Sequence, residues 1–139
     1  MAFDIVSAVE GDAAEVADVH LKAMDDNALL HAQFPSDESL AFLRGWLAND
    51  TVQHMKDDNK GVLLAKDVKS KEIASFVKWQ VHRAQKTSTD QPAQAENWPE
   101  GCRTQYLEPY GELTERTRTQ VMGDSPYYRM SQLSLMVSR

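Results

Sequence analysis

The stretch from Val62 to Val81 constrains this chain more than any other. Val62-Leu63-Leu64-Ala65 is a short apolar run, Asp67 to Lys71 is a polar turn, and Ile73, Ser75, Val77, Trp79 and Val81 then recur at every second position. A period of two marks a pleated strand, and two such runs joined by a short polar turn form an antiparallel hairpin. The other face of the second strand carries Ala74, Phe76, Lys78 and Gln80, so it is expected to be covered near Phe76 and wetter towards Gln80. Ser75 and Lys78 match a Ser-x-x-Lys nucleophile pattern. That chemistry needs a helical turn to bring the two side chains together, whereas an extended strand separates them.

Around the hairpin the pattern changes between strand and helix. Phe3, Ile5 and Ser7 alternate with Asp4, Val6 and Ala8 ahead of Glu10-Gly11, which reads as a half-buried first strand and its turn. Asp12-Ala13-Ala14-Glu15 has capping-box spacing, and Val16, Val19, His20 and Ala23 follow at helical intervals. His20 is read as structural, since no second His stands three or four positions away. Met24 to Pro35 is a loop or short helical turn bordering a cleft. Pro35-Ser36-Asp37-Glu38 caps a second helix with the apolar stripe Leu40, Leu43, Trp46 and Leu47, ending near Lys56. Asn49-Asp50-Thr51 matches a glycosylation acceptor but falls on this helix, so it is discounted.

Residues 83–97 are polar and nearly free of large apolar groups, which predicts an exposed loop. A helix from Arg103 to Met122 is expected next, with Tyr106 and Tyr110 packed on the sheet, Glu112 paired with Arg116, and Gly123 as its stop. Tyr128 to Val137 is a final apolar strand.

A chain of 139 residues with 42% apolar content suits one domain, residues 1–139. The formal charge of -6 removes overall attraction to nucleic acid and anionic lipid, so neither partner is expected. No apolar run reaches membrane-spanning length, and Met1-Ala2-Phe3-Asp4 lacks the form of a secretory signal, which implies a cytoplasmic chain. Cys102 stands alone, without His or Cys at metal-ligand spacing, so no metal site is expected.

The order strand, helix, helix, strand, strand, loop, helix, strand describes an α+β layer fold. Phe3-Asp4-Ile5-Val6-Ser7-Ala8 with Gly11-Asp12-Ala13-Ala14-Glu15-Val16 resembles the first strand and helix of the GCN5-related N-acetyltransferases, the GNAT superfamily. Ile73-Ala74-Ser75-Phe76-Val77-Lys78-Trp79 is similar to the third strand of a subgroup of these enzymes. Gly123-Asp124-Ser125-Pro126-Tyr127-Tyr128-Arg129-Met130 followed by Leu133-Ser134-Leu135-Met136-Val137 resembles that subgroup's approach to strand four. The resemblance implies a GNAT-like mixed sheet, β-α-α-β-β-α-β, truncated after the fourth strand. The superfamily's Arg/Gln-x-x-Gly-x-Gly/Ala turn, which binds the pyrophosphate of coenzyme A, is absent, and no two glycines stand close enough to replace it.

What the resemblance implies about function is acetyl transfer from acetyl-CoA to a primary amine of a small molecule or peptide, weak or inactive in these residues alone. Leu135, Met136 and Val137 would present backbone groups to the acyl and pantetheine portion. By position, Glu38, His54 and Trp79 border the acceptor side, with blander uses available to each: helix-start acid, exposed helix residue and core aromatic. No residue is assigned as catalytic acid or base. The alternative is a non-catalytic binding or assembly module using the terminal strand. An uncovered edge there predicts a homodimer or higher assembly.

Overall fold

The period-two hairpin forms the centre of the sheet. In the computed structural model, which describes residues 2–83, 101–103, 105 and 107–135, β2 (Lys60–Asp67) pairs antiparallel with β3 (Ile73–His82). The turn between them is locked locally, because the Asp67 carboxylate accepts from the amides of Lys69 and Ser70, each at 2.8 Å. β1 (Phe3–Ser7) adds to the free side of β2 and β4 (Tyr127–Leu135) to that of β3. The order is β1-β2-β3-β4, with every pairing antiparallel.

Helices α1 (Ala13–Ala23), α2 (Ala28–Gln33) and α3 (Asp37–Lys56) come between β1 and β2, and α4 (Leu107–Met122) between β3 and β4. The expected second helix is α3, with the predicted bounds. Ser36 Oγ accepts from the Ser39 amide at 3.2 Å and Ser39 Oγ from the Ser36 amide at 3.1 Å, a reciprocal cap. The Met24 to Pro35 segment contains α2, whose first turn is held by Asn27 Oδ1 accepting from Leu29 and Leu30. α1 and α3 pack on one face of the sheet. Between α1 and the sheet lies a core of Val16, Val19, Val62, Leu64, Ile73 and Phe76; a second core of Ala17, Leu30, Phe34, Leu43 and Leu47 joins the three helices.

Several expectations change. On β3 the helix-facing side is that of Phe76 and Lys78, and Val77 and Trp79 lie on the other, only partly covered face. Ile73 joins it through a bulge: Ala65 pairs with Ser75 but Lys66 with Ile73, so Ala74 is the extra residue and the parity reverses. β1 is exposed throughout instead of half buried, because it is the edge strand and its outward Ile5 retains 68% of its surface. α4 begins at Leu107 rather than Arg103, Tyr110 is 64% exposed instead of packed on the sheet, and Tyr106 lies outside the described residues. Its ion pair is Arg118 Nε to Glu115 Oε2 at 2.9 Å, rather than Glu112 with Arg116. Of the 83–97 loop, all but Arg83 lies outside the described residues.

The acids at the start of α1 do not form the expected capping box. Asp12 accepts from the Val9 amide at 2.9 Å and from Lys66 Nζ at 2.6 Å. Glu15 Oε1 reaches the sheet and accepts from the Ile73 amide at 2.7 Å, satisfying the donor of a fully buried residue at the start of β3, next to the bulge. Glu15→Ala is therefore expected to destabilise the fold by about 1–3 kcal/mol in urea unfolding, since a buried donor loses its acceptor, whereas Glu15→Gln retains most of the stability. Equal losses in the two variants would show that the bond to Ile73 contributes nothing.

Candidate functional site

Strand parity carries Lys78 to the helix-facing side of β3, where it is 2% exposed. A buried ammonium requires compensation, and α3 supplies it. Lys78 Nζ donates to Asp50 Oδ2 at 2.6 Å, while the Asp50 carboxylate keeps part of its surface in solvent. Asp50 and His54 are one helical turn apart on the same face of α3. His54, 8% exposed, donates from Nε2 to the carbonyl oxygen of Trp79 at 3.0 Å, tying α3 to the residue after Lys78. Thr51 between them is fully buried and returns its hydroxyl proton to Leu47 O at 2.8 Å. From α1, the His20 ring stands 6.0 Å from that of Phe76, and its Nε2 lies 3.0 Å from Met24 Sδ.

Both imidazoles hold their protons less tightly than an ordinary histidine. Burial pushes the pKa of His20 down, the Lys78 charge adds to this, and Asp50 opposes it. Burial likewise lowers that of His54; the bond to Trp79 and the Asp50 charge oppose it, while Lys78 and Lys60 reinforce it. His54 is therefore neutral at pH 7, with its proton on Nε2 and its lone pair on Nδ1.

Trp79 sends its indole to the opposite face of the sheet, over Gly61 of β2. A Cβ at Gly61 would collide with Cζ2 and Cε2 of the indole, so the close approach requires glycine there. On its other side Trp79 pairs with Met130 of β4, and here the ladder slips again. Lys78 faces Gln132 while Trp79 faces Met130, leaving Ser131 as the extra residue of β4. A bulge disrupts pairing locally and bends the strand. Among the described residues β4 is the last strand of the sheet on this side.

The sequence-predicted residues divide. His54 and Trp79 meet directly, through the imidazole and the backbone carbonyl. His54 is not the exposed helix residue its polar surroundings suggested, and the Trp79 indole lies off the helix-facing core. Glu38 is exposed in the first turn of α3, sixteen positions before His54 and therefore about 24 Å along the helix axis. Leu135 is the last residue of β4, opposite Ser75; Met136 and Val137 lie outside the described residues. The Lys78–Asp50 pair was missed, although the parity that places Lys78 beside Phe76 was available. Among the described residues no group of three or more His, Cys, Asp or Glu is arranged to hold a metal, and no helix is long and apolar enough to cross a membrane.

No protein-family model matches the sequence, and no curated protein matches it significantly. Structure does show a likeness in fold. The chain is similar to a solved structure from Corynebacterium glutamicum described as histone acetyltransferase HPA2 and related acetyltransferase, with a TM-score of 0.56 and 15% sequence identity. The fold is GNAT-like. The match covers 97% of this chain and 61% of that one, so this chain spans 61% of its neighbour's length.

The indole position depends on Gly61. Gly61→Ala is expected to displace Trp79 and destabilise the fold by about 1–3 kcal/mol, the usual range for overpacking. Trp79→Leu in the same background should recover most of that loss in chemical unfolding. A loss in Gly61→Ala that is unaffected by removal of the indole would contradict this packing.

Proposed function

We propose that this chain carries the acceptor side and the acyl-donor strand of a GNAT-type acyltransferase, which moves an acetyl group from acetyl-CoA to a primary amine of a small molecule or peptide. The observation that carries the reading is a bulged β4 that is the edge strand of the described sheet, within a GNAT-like fold that extends over 97% of the chain. Such an edge offers alternating amides and carbonyls to an extended amide chain. Pantetheine is a ligand of that kind. Leu135, Met136 and Val137 are the proposed contacts for the acyl and pantetheine portion.

In the transfer a neutral amine attacks the thioester carbonyl. The C–N bond forms as the C–S bond breaks, the amine proton passes to a base or water, and the thiolate takes up a proton. Trp79, with His54 behind its carbonyl, is the proposed acceptor-side wall. Glu38, at the far end of α3, enters only with an acceptor long enough to reach it.

The pyrophosphate of the cofactor fits the described residues less well. The N-terminus of α1 is occupied by Asp12 and Glu15, and that of α3 by Ser36, Asp37 and Glu38, so both present acids where an anion would bind. The 139 residues would therefore hold acetyl-CoA chiefly by its acyl-pantetheine arm, with low affinity and weak or no turnover. A second reading is favoured by the exposure of Tyr128 and Met130 on β4: a non-catalytic module that pairs strand to strand, as a homodimer or larger assembly.

Amide hydrogen exchange distinguishes the two readings. Acetyl-CoA is expected to bind more weakly than about 100 μM and to protect β4 amides between Met130 and Leu135, with pantetheine alone giving the same footprint. No protection of β4 at millimolar ligand would overturn the acyltransferase reading. Protection of β4 that instead rises with protein concentration, without ligand, would favour the assembly reading.

A further inference from the structure

We propose that His20 and His54, gathered about the Lys78–Asp50 ion pair, form a proton-operated clamp that fastens α1 and α3 to β3 at neutral pH and loosens them in mild acid. The inference does not depend on acyl transfer. Its basis is the meeting of three elements at one buried point. β3 contributes the Lys78 ammonium and the Trp79 carbonyl, α3 contributes Asp50 and His54, and α1 contributes His20, whose ring rests against Phe76 two positions from Lys78 on the same strand face.

Charge arithmetic makes the point sensitive to protons. With both imidazoles neutral, Lys78 and Asp50 balance. Each imidazolium adds a positive charge beside an ammonium that already holds the carboxylate at 2.6 Å. His54 faces Lys78 from β3, Lys60 from β2 and Asp50 from its own helix; His20 faces Lys78 and Asp50. Lys60 is itself 3.5 Å from Asp57, which tempers its share. On the His54 side burial and two cations outweigh the bond to the Trp79 carbonyl and the one carboxylate, both of which favour the imidazolium, so protonation is unfavourable in the folded state.

The direction in pH follows. An imidazole in the unfolded chain takes up its proton near pH 6.5, and these two do so only at lower pH when folded. Between those values the unfolded chain binds more protons, so stability is complete above pH 6.5, falls as the pH drops towards the folded-state pKa values, and then levels off. The lowered carboxylates Asp12, Asp18 and Asp67 act in a separate window, below pH 3.8.

The test compares urea unfolding at about pH 7.5 and about pH 5.5 in the unaltered 139-residue chain and in the double variant His20→Gln, His54→Gln. Glutamine at 54 can still donate to the Trp79 carbonyl but cannot take up a proton, and the remaining histidines, His31 and His82, are common to both chains. The unaltered chain is expected to lose midpoint on acidification and the double variant to lose less than half as much. A flat response in the unaltered chain, or an undiminished loss in the variant, overturns the proposal. Should the variant not fold, carbon-13 titration of the imidazoles in the unaltered chain decides: midpoints for His20 and His54 below that of the urea-unfolded chain are expected, and midpoints at or above it overturn the clamp.

Discussion

A single buried ammonium sets the geometry on which the rest of this structure depends. Lys78 is enclosed between the sheet and the helices, and it is tolerated there because Asp50 of α3 meets it at 2.6 Å. Replacing such a pair by apolar groups is often neutral or stabilising, so its importance does not lie in net energy. Its effect is positional. A one-residue slip of β3 would turn Lys78 to the far face and Trp79 towards the helices, and a rotation of α3 would withdraw Asp50. The same helix stripe that carries Leu43 and Leu47 into the inter-helical core continues through Asp50, Thr51 and His54. Fixing the ion pair therefore fixes the helix core and the bond to the Trp79 carbonyl together.

With the helices held on one side, the sheet has two unlike faces. One is closed by α1 and α3. The other carries Ile5, Leu63 and Met130, all exposed, and the half-buried indole of Trp79 over Gly61. Beside that face runs β4, bulged at Ser131 and, among the described residues, the last strand of the sheet. An acyl donor that binds as an extended chain and an amine acceptor that arrives beside Trp79 would meet there, which is the physical content of the acyltransferase reading. The acids at the starts of α1 and α3 disfavour an anion at those two helix ends.

Much of the architecture was legible because it rests on periodicity and local chemistry. The hairpin from Val62 to Val81, the capped start of α3 at Ser36 and the closing strand all follow from alternation, cap residues and turn residues. The GNAT-like fold was also legible, though the solved neighbour shares only 15% identity, because element order and polarity pattern persist where side chains do not. What escaped was non-local. The bulge at Ala74 reverses the parity of Ile73 without any glycine or proline to mark it. Glu15 and Asp12 match a capping box in spacing, but partners on β2, β3 and the turn after β1 take them instead. His54 looked solvent-facing among polar helix residues, and only the approach of β3 buries it. Glu38 and His54 share a helix yet stand at opposite ends of it, so proximity to a cleft in sequence terms did not make one site.

The Lys78–Asp50 pair is tested most directly by a double-mutant cycle with Lys78→Met, Asp50→Asn and their combination, measured by urea unfolding. Asp50→Asn alone should be the most damaging, at about 3 kcal/mol, because it leaves a buried ammonium without its carboxylate. Lys78→Met should cost less, since the Asp50 carboxylate reaches solvent, and the double variant should be more stable than Asp50→Asn. Additive losses, with no coupling between the two positions, would contradict the account.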